Sequence, residues 1–310
     1  MTSTTGDIAL LFIGTFALLT ALTFLGEVLA LRRPGPVVET YRTRVHSWWA
    51  MVILFGLALI LGQAGVTLLF AFAAFAALRE FLTFSTKARA DHLSLALAFF
   101  VVLPLQFLLI WLGWTGLFTV FIPVYAFLLL PIVSVLRGNS DRFLMRVAET
   151  QWGLMICVYC ASHVPALMTL VIPGSGDRSV LLIAFLIMVV QLGDLLDFWF
   201  GRRIGRHKIA PGLSPKTWEG MLAGVASAAL IGAVFAWLTP FGVLGAAGMS
   251  SLASATGMFG NLVLAAIKRD KGVKDWSHLI PGQGGFLDQL DSVLFAAPVF
   301  YHAAHLVWMP

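Results

Sequence analysis

The feature that most limits the folds open to this chain is a succession of long apolar runs. A helix that crosses a membrane needs about 20 mostly apolar residues, and the sequence contains about ten such candidate spans. They cover residues 8–31, 48–61, 66–78, 93–113, 115–136, 150–172, 179–200, 218–240, 243–267 and 290–309. Only residues 62–65 separate the short second and third spans, so a count of nine or eleven stays open at this point.

Charged residues are too scarce to cover a surface exposed to water. Hydrophobic residues make up 59% of the 310 and charged residues only 11%, whereas roughly 25% of the residues in a soluble domain are charged. We therefore predict an all-α, polytopic integral membrane protein with about 9–10 transmembrane helices. Residues 1–310 are interpreted as one membrane domain, with N-terminal helices in 1–178 and the catalytic region in 179–310.

Basic residues alternate from loop to loop along the chain. Of the 20 lysines and arginines, 19 follow odd-numbered spans, and only Arg178 falls in a loop of the other set. Cytoplasmic loops carry the excess of Lys and Arg, so this pattern puts both termini outside and the odd loops inside. We expect a bacterial inner-membrane protein with its chemistry on the cytoplasmic side. Membrane lipid is the expected environment, and no nucleic-acid partner is expected.

The first of two unusually polar segments runs from Gln191 to Gly220. Asp194 and Asp197 lie three residues apart near the end of the seventh span, so they share one face of that helix. Acidic residues this close to a membrane are costly to bury. The two carboxylates are therefore predicted either to bind a ligand or to pair with Arg202 or Arg203.

The same segment contains a predicted helix start. Ser214 and Pro215 form a plausible N-terminal cap, and Glu219 in the first turn would interact favourably with the helix dipole. Lys216 and Thr217 lie beside the free amides of such a helix start, which binds phosphate well. A basic loop that lies against lipid headgroups is the alternative interpretation.

The second polar segment, Lys268 to Ser292, combines cations, glycines and carboxylates. Its cations are Lys268, Arg269, Lys271 and Lys274. The glycine-rich residues 281–285 let backbone amides approach a ligand closely, and Asp288 and Asp291 follow on one helix face. Carboxylates hold Mg²⁺ while Lys and Arg neutralise phosphate oxygens, so we predict metal-assisted chemistry on phosphates. The alternative is a helix N-terminus that two acids stabilise.

These residues resemble the signature of the phosphatidate cytidylyltransferase (CDP-diacylglycerol synthase) family. The resemblance is carried by Lys268-Arg269, Lys274-Asp275, Ser277, Ile280-Pro281, Gln283-Gly284-Gly285-Phe286, Asp288 and Leu290-Asp291. The pieces Ile209-Ala210-Pro211 and Ser214-Pro215-Lys216-Thr217-Trp218-Glu219-Gly220 resemble the family's other cytoplasmic motif. Asp194 falls where the family has an acid before a glycine. The N-terminal half matches mainly as apolar helices, with Arg79-Glu80-Phe81 a looser match.

The resemblance implies a Mg²⁺-dependent nucleotidyltransferase of phospholipid biosynthesis. Members of the family join CTP and phosphatidic acid to give CDP-diacylglycerol and pyrophosphate. The implied metal ligands are Asp288, Asp291, Asp194 and Asn261, with a second cation left open. Lys268, Arg269, Lys274 and Asp275 are the implied catalytic partners of the acids. The implied substrate contacts are Ser214, Lys216, Thr217, Glu219, Gly284 and Gly285. A homodimer is also implied.

The chain departs from the family pattern at several positions. Gln283 and Gln289 stand where the family usually has His and Arg. Asn261 and Leu264 stand where many members have Asp and Glu, and that Asp is thought to help bind the metal. An Asn offers a carbonyl oxygen but no charge, so a direct carry-over leaves Asp288 as the main ligand.

Other functions remain compatible with the sequence. The chain could be a weak or inactive relative that binds lipid and nucleotide as a scaffold, or a cytidylyltransferase for a different lipid phosphate. A transporter would place ionisable groups near the membrane midplane on interrupted helices, whereas Asp194 and Asp197 lie toward one end of a span. Cys157 and Cys160 form a single C-x-x-C pair inside an apolar run, where packing explains them better than metal or redox chemistry.

Overall fold

The described part of the chain folds into ten helical segments and contains no β-strand. The computed structural model describes residues 2–32, 35–172 and 179–309. The segments are α1 (Thr2–Arg32), α2 (Pro36–Ile60), α3 (Gly62–Thr83), α4 (Arg89–Trp111), α5 (Thr115–Val135), α6 (Phe143–Thr169), α7 (Ser179–Ile204), α8 (Trp218–Val234), α9 (Gly242–Asp270) and α10 (Phe286–Trp308). Nine of these helices in the described ranges are long and apolar enough to cross a membrane, and α8, with 17 residues, is shorter. The prediction of an all-α, polytopic membrane protein is confirmed.

Several predicted span boundaries were wrong, among them the start of the sixth span, which lies at Phe143 and not at residue 150. Helix α2 begins at Pro36 instead of residue 48. Helix α3 runs to Thr83 and already begins at Gly62, because the turn is confined to Leu61 and Gly62, at φ +66°, and residues 63–65 belong to α3. Helix α8 ends at Val234 instead of continuing to residue 240. A short 3-10 turn over Ala236–Leu238 follows, and Thr239, directly before Pro240, has the extended backbone that a following proline favours. Arg33 and Arg178, which entered the charge count, lie outside the described residues.

The loops that follow the odd-numbered helices meet at one end of the bundle, which we call the basic end. Hydrogen bonds and ion pairs connect residues near the ends of different helices there: Arg44 with Gly282, Glu80 with Ser277, and Glu149 with Lys271. These contacts join α2, α3 and α6 to the segment between α9 and α10. The basic loops therefore share one end, as their charge alternation predicted.

Helix α10 is central to the packing. It contacts α7 and α9 from the C-terminal half and α3 and α6 from the N-terminal half. Its side chains Leu287, Leu294 and Phe300 are completely or almost completely buried. In contrast, α1 packs mainly against α2, and most of its surface is exposed. A residue in the first turns of α10 can therefore be held by elements from both halves of the chain.

A buried ion pair holds part of the N-terminal half together. Arg146 Nε lies 2.7 Å from Asp91 Oδ2, with side chains 2% and 6% exposed. The other oxygen of Asp91 accepts a hydrogen bond from Ser134 Oγ at 2.7 Å. Arg146 therefore links α6 to α4 and α5 inside the bundle.

Glycines allow α7 and α8 to approach each other closely around Asp197. A Cβ atom at Gly224 would lie 2.9 Å from Gly193 O and 2.9 Å from Asp197 Cβ, and one at Gly220 would lie 2.8 Å from Asp197 O. Real Cβ atoms do not come this close to backbone oxygens, so neither position has room for a side chain. The close approach places Asp197 against the start of α8.

We predict that Gly224→Ala destabilises the protein by about 1–3 kcal/mol, because the added methyl group overpacks the α7–α8 contact. The matched control is Gly248→Ala in α9, where no heavy atom lies within 4 Å of the added Cβ. That control should be neutral or stabilising by about 0.5–1 kcal/mol, since alanine is the better helix former. Thermal unfolding in detergent micelles measures both effects, and equal melting temperatures for the two variants would contradict the close contact.

Candidate active site

The two polar segments meet at the first turns of α10. Asp194 of α7 accepts a short hydrogen bond from Ser292 Oγ, and the same hydroxyl lies 3.3 Å from Asp291 Oδ1. Ser292 is 1% exposed, so the two carboxylates face each other across a buried hydroxyl group. Two predicted site residues that are 97 positions apart in the sequence are thus brought together.

Lys216 neutralises both aspartates at the end of α7. Its Nζ lies 3.0 Å from Asp194 Oδ1 and 2.8 Å from Asp197 Oδ2, and the Asp197 side chain is only 1% exposed. Burial alone would lower the pKa of Lys216, but the charges of the two aspartates and their hydrogen bonds outweigh burial and raise its pKa. Lys216 therefore stays an ammonium ion at any physiological pH.

Arg202 and Arg203 are not the partners of these acids, so that predicted alternative was wrong. The guanidinium group of Arg202 lies 4.5 Å from the ring centre of Phe198, and that of Arg203 lies 4.1 Å from the ring centre of Trp199. Each pair is spaced four residues apart, which places the cation over the ring on the outer face of α7. Asp194 and Asp197 pair with Lys216 instead.

A short ribbon between α7 and α8 presents Lys216 to the site. The backbone of residues 207–209 pairs with that of residues 216–218, with hydrogen bonds of 2.9 and 3.1 Å. Glu219 closes the ribbon because its carboxylate accepts hydrogen bonds from the amides of Arg206 and His207 at 3.0 and 3.1 Å. Glu219 therefore shapes the loop, and its carboxylate faces the loop backbone.

Helix α8 begins after Thr217, so the predicted cap at Ser214 and Pro215 was wrong. Thr217 Oγ1 accepts a hydrogen bond from Gly220 N at 3.2 Å, which is the usual N-cap interaction. Ser214 Oγ instead accepts from the amide of Lys216 at 3.3 Å. Thr217 is buried and Ser214 half-buried, so both hold the loop that carries Lys216.

Asp288 connects the predicted cation Lys268 to the start of α10. Its Oδ1 lies 2.9 Å from Lys268 Nζ, and its Oδ2 accepts hydrogen bonds from Gly285 N at 2.8 Å and Trp276 N at 2.9 Å. Asp288 thus caps its own helix, as predicted by the alternative of a helix N-terminus that acids stabilise. It also pairs with the Lys268 cation. Both oxygens already have a partner, so this carboxylate is held in one orientation.

Asp291 does not cap the helix but points to α9. Its Oδ2 accepts a hydrogen bond of 2.6 Å from Asn261 Nδ2, and its Oδ1 accepts from Ser292 N at 2.7 Å. A carboxylate at position 261 would repel Asp291 at this distance unless a cation lay between the two. The amide of Asn261 supplies a donor instead.

The glycines of the loop make room for carboxylates of the same chain. A Cβ at Gly284, whose φ is +91°, would lie 2.6 Å from Asp288 Oδ2, and one at Gly285 would collide with Glu80 Oε2. The Gly285 amide already donates to Asp288. The predicted close approach of the backbone to anionic oxygens is present, but the oxygens belong to protein side chains.

Glu80 of α3 is a site neighbour that the sequence analysis did not assign. Its Oε1 accepts hydrogen bonds from Ser277 Oγ at 2.6 Å and Phe286 N at 3.0 Å, and its Oε2 accepts from Leu287 N at 2.9 Å. It is only 3% exposed. An acid inside an apolar run is expensive and usually has a specific partner, and that signal could have found it.

Gln283 and Gln289, which depart from the family pattern, fix the loop to α2. Gln289 Nε2 donates to Gln283 O at 3.0 Å, and Gln283 Nε2 donates to Arg44 O at 3.2 Å. Arg44 returns a hydrogen bond from Nε to Gly282 O at 2.9 Å. The two glutamines therefore have defined structural partners at the edge of the site.

Three predicted residues lie outside this hydrogen-bonded centre. Arg269 and Lys274 are exposed and have no ion-pair partner among the residues that the structure describes. Asp275 is half-buried and likewise makes no ion pair within the described ranges. Lys271, by contrast, is paired with Glu149 of α6. The two exposed cations are thus available to an anionic ligand, whereas Lys271 is already neutralised.

The charges of the centre favour a divalent cation. Its members are Asp194, Asp197, Asp288, Asp291, Lys216 and Lys268. With all of them ionised, four carboxylates and two ammonium groups leave two negative charges. No three His, Cys, Asp or Glu side chains of the described chain form a ready metal-binding cluster. Mg²⁺ does not require one, since one or two carboxylates and substrate phosphates usually hold it, and the oxygen donors here fit that ion.

Comparisons with known proteins agree on one family. The profile of the family described as "Cytidylyltransferase family" matches residues 42–307. The chain is 35% identical to "Uncharacterized protein YnbB" of Escherichia coli (strain K12) over 93% of this chain and 95% of that protein. It is 33% identical to phosphatidate cytidylyltransferase of Aquifex aeolicus over 44% of this chain and 52% of that protein, and 36% identical to that of Haemophilus influenzae over 38% and 44%. The chain matches about half the length of these two named enzymes.

We predict that Lys216→Met destabilises the protein by about 3–5 kcal/mol, because it leaves buried carboxylates without a counter-charge. Adding Asp197→Asn should recover part of the loss, with a coupling energy of about 0.5–3 kcal/mol. Lys208→Met is the matched control, because Lys208 is exposed in the same ribbon and its loss should change stability by less than about 0.5 kcal/mol. Unfolding in detergent measures the stability of the two single variants and the double variant. Strictly additive losses of stability would refute the pairing of Lys216 with Asp197.

Proposed function

The chain belongs to the cytidylyltransferase family, and we propose that it transfers the CMP group of CTP to phosphatidic acid. The products would be CDP-diacylglycerol and pyrophosphate, which makes the protein an enzyme of phospholipid biosynthesis. The observation that supports this most directly is the convergence of Lys216, Lys268 and the aspartates at the basic end. Membrane-spanning helices on either side would let a lipid substrate reach that end from the bilayer.

The reaction needs charge neutralisation and positioning more than it needs an activated side chain. An oxygen of the lipid phosphate attacks the α-phosphorus of CTP, the bond to the β-phosphate oxygen breaks, and pyrophosphate leaves. The lipid phosphate is already a nucleophile, so no Ser–His pair is required. Phosphoryl-transfer enzymes work mainly by orienting such anions and stabilising their charge.

We assign the acids on α7 and α10 to metal binding. Asp194 and Asp291, which face each other across Ser292, would hold Mg²⁺. Asp288, one helical turn before Asp291, would join them when substrate binds, since the three acids form no ready cluster in the described chain. The Asn261 amide would orient Asp291. When bound, Mg²⁺ would withdraw charge from the CTP phosphates. One divalent ion matches the two negative charges of the centre, and a second cation would need a further acid that position 261 does not supply.

The remaining residues divide into substrate contacts and loop supports. Lys268, next to Asp288, would neutralise the phosphates with exposed Arg269 and Lys274. Lys216 would add a charge beside Asp194. The other predicted residues support the loops through hydrogen bonds or close packing: Ser214, Thr217, Glu219, Gly284 and Gly285. Asp275 stays a prediction, and so does a homodimer.

One observation favours a second candidate function, that of a weak or inactive relative that binds nucleotide and lipid. Asn261 replaces an acid of the family pattern and donates a hydrogen bond to Asp291. The centre thereby loses a charge that a second cation would need. A cytidylyltransferase for a different lipid phosphate would use the same nucleotide chemistry. Turnover with several lipid phosphates separates these functions.

We predict that the purified protein forms labelled CDP-lipid from labelled CTP and phosphatidic acid in the presence of Mg²⁺. Asp288→Asn should reduce turnover by at least about 100-fold, because it removes a negative charge beside the reacting phosphates. The matched control is Asp270→Asn, since the Asp270 side chain is 75% exposed and lies 3.9 Å from its nearest cation. It should leave turnover unchanged, and melting curves should show that both variants are folded.

Three results would contradict these assignments. Turnover with another lipid phosphate but not with phosphatidic acid would transfer the proposal to that substrate. CTP binding without turnover on any lipid phosphate would leave only the scaffold function. An unchanged rate for a folded Asp288→Asn variant would remove that residue from the catalytic set.

We further propose that the basic end faces the cytoplasm of a bacterial inner membrane, because CTP is a cytoplasmic substrate and the basic loops follow the expected charge rule. Single cysteines at Lys208 and Lys274 should therefore react with a membrane-impermeant maleimide only in inverted vesicles. A cysteine at Thr115, the exposed first residue of α5, should react only in the opposite orientation. These variants would be made after Cys157→Ala and Cys160→Ala. Labelling of positions 208 and 274 from different sides would refute the shared site.

A further inference from the structure

Glu80 is a buried acid that no step of the proposed reaction uses. It lies near the end of α3, 206 residues before Phe286, and its side chain is almost fully enclosed at 3% exposure. None of the ion pairs within the described residues involves it. A buried carboxylate without a cation must be stabilised by hydrogen-bond donors.

Those donors come from the start of the helix that carries the catalytic aspartates. The first amides of a helix have no partner within the helix, and the helix dipole favours a negative group beside them. Glu80 accepts hydrogen bonds from the amides of Phe286 and Leu287, and Asp288 accepts one from the amide of Gly285. Two carboxylates from distant parts of the chain therefore share the cap of α10.

Glu80 also holds both segments that orient Asp288. Its hydrogen bond from Ser277 Oγ fixes the residue that follows Trp276, whose amide donates to Asp288. On the other side Gly285, the second donor to Asp288, packs directly against Glu80. Any displacement of Glu80 therefore moves both amide donors of Asp288.

We propose that Glu80 is a positioning residue of the site, through which α3 in the N-terminal half sets the orientation of Asp288. The inference rests on the proposed function in one respect, since it takes Asp288 as a residue that meets the divalent cation. The carboxylate form is required because both oxygens accept hydrogen bonds. A glutamine has one acceptor oxygen and would direct its NH₂ group at a backbone N–H.

The competing explanation is that Glu80 only stabilises the fold. Glu149 provides the matched control, because it is a half-buried acid at the basic end, with its side chain 13% exposed. It accepts a hydrogen bond from Thr86 N and pairs with Lys271, but its described contacts do not include α10 or Asp288. Glu149→Gln therefore reports the general effect of losing a hydrogen-bonded carboxylate at the basic end.

The test measures Mn²⁺ binding to the full-length protein in detergent by electron paramagnetic resonance, alongside melting temperature and turnover. Glu80→Gln should weaken Mn²⁺ binding by about 10–100-fold, as the loss of residues that orient metal ligands usually does. Glu149→Gln should lower the melting temperature without changing Mn²⁺ affinity. Glu80→Asp, which keeps both acceptor oxygens, should restore part of the affinity. Ser277→Ala removes one contact and gives a milder variant if Glu80→Gln does not fold.

The outcomes separate this inference from the proposed function. Wild-type Mn²⁺ affinity in folded Glu80→Gln, or an equal loss of affinity in Glu149→Gln, overturns the positioning role. Wild-type protein that binds Mn²⁺ in a Glu80-dependent way but makes no CDP-lipid supports the positioning role and overturns the proposed reaction. Wild-type protein that does not bind Mn²⁺ overturns both.

Discussion

The burial of carboxylates beside a membrane is the constraint on which this structure depends. Such groups are costly unless each finds a counter-charge or several hydrogen-bond donors. Asp194 and Asp197 pair with Lys216, and Asp288 pairs with Lys268. Glu80 accepts hydrogen bonds from amides of α10. In each case at least one partner comes from a different segment, so satisfying the acids also fixes how the segments meet.

This requirement explains why α10 is both the centre of the packing and the centre of the site. Its first turn presents unpaired amides, which attract carboxylates from its own first turn and from α3. Its next residues, Asp291 and Ser292, reach Asn261 on α9 and Asp194 on α7. Helices from both halves of the chain must therefore be in place before the acids acquire their final orientation. A site built in this way cannot form from residues 179–310 alone with the same contacts.

The parts of the fold that local sequence determines were predictable, and those that depend on tertiary contacts were not. Ten apolar runs correspond to ten helices, and the i,i+3 spacing placed Asp194 and Asp197 on one face because that relation needs only helix geometry. Their partner was missed because Lys216 reaches them only when the ribbon of residues 207–218 folds back. Glu80 was missed for a related reason, since its donors lie about 200 residues away. The extra turns of α2 and α3 were missed because their polar ends interrupt the apolar pattern.

Asn261 shows how a departure from a family pattern can be understood from its neighbours. An acid at this position would place two carboxylates at hydrogen-bond distance, which requires a proton or a cation between them. The amide donates to Asp291 and keeps that carboxylate in place without a cation. The substitution therefore preserves the orientation of Asp291 while reducing the negative charge of the centre. Geometry and charge are separable in this site, and the charge left by the four aspartates and two lysines is what the proposed Mg²⁺ would have to match.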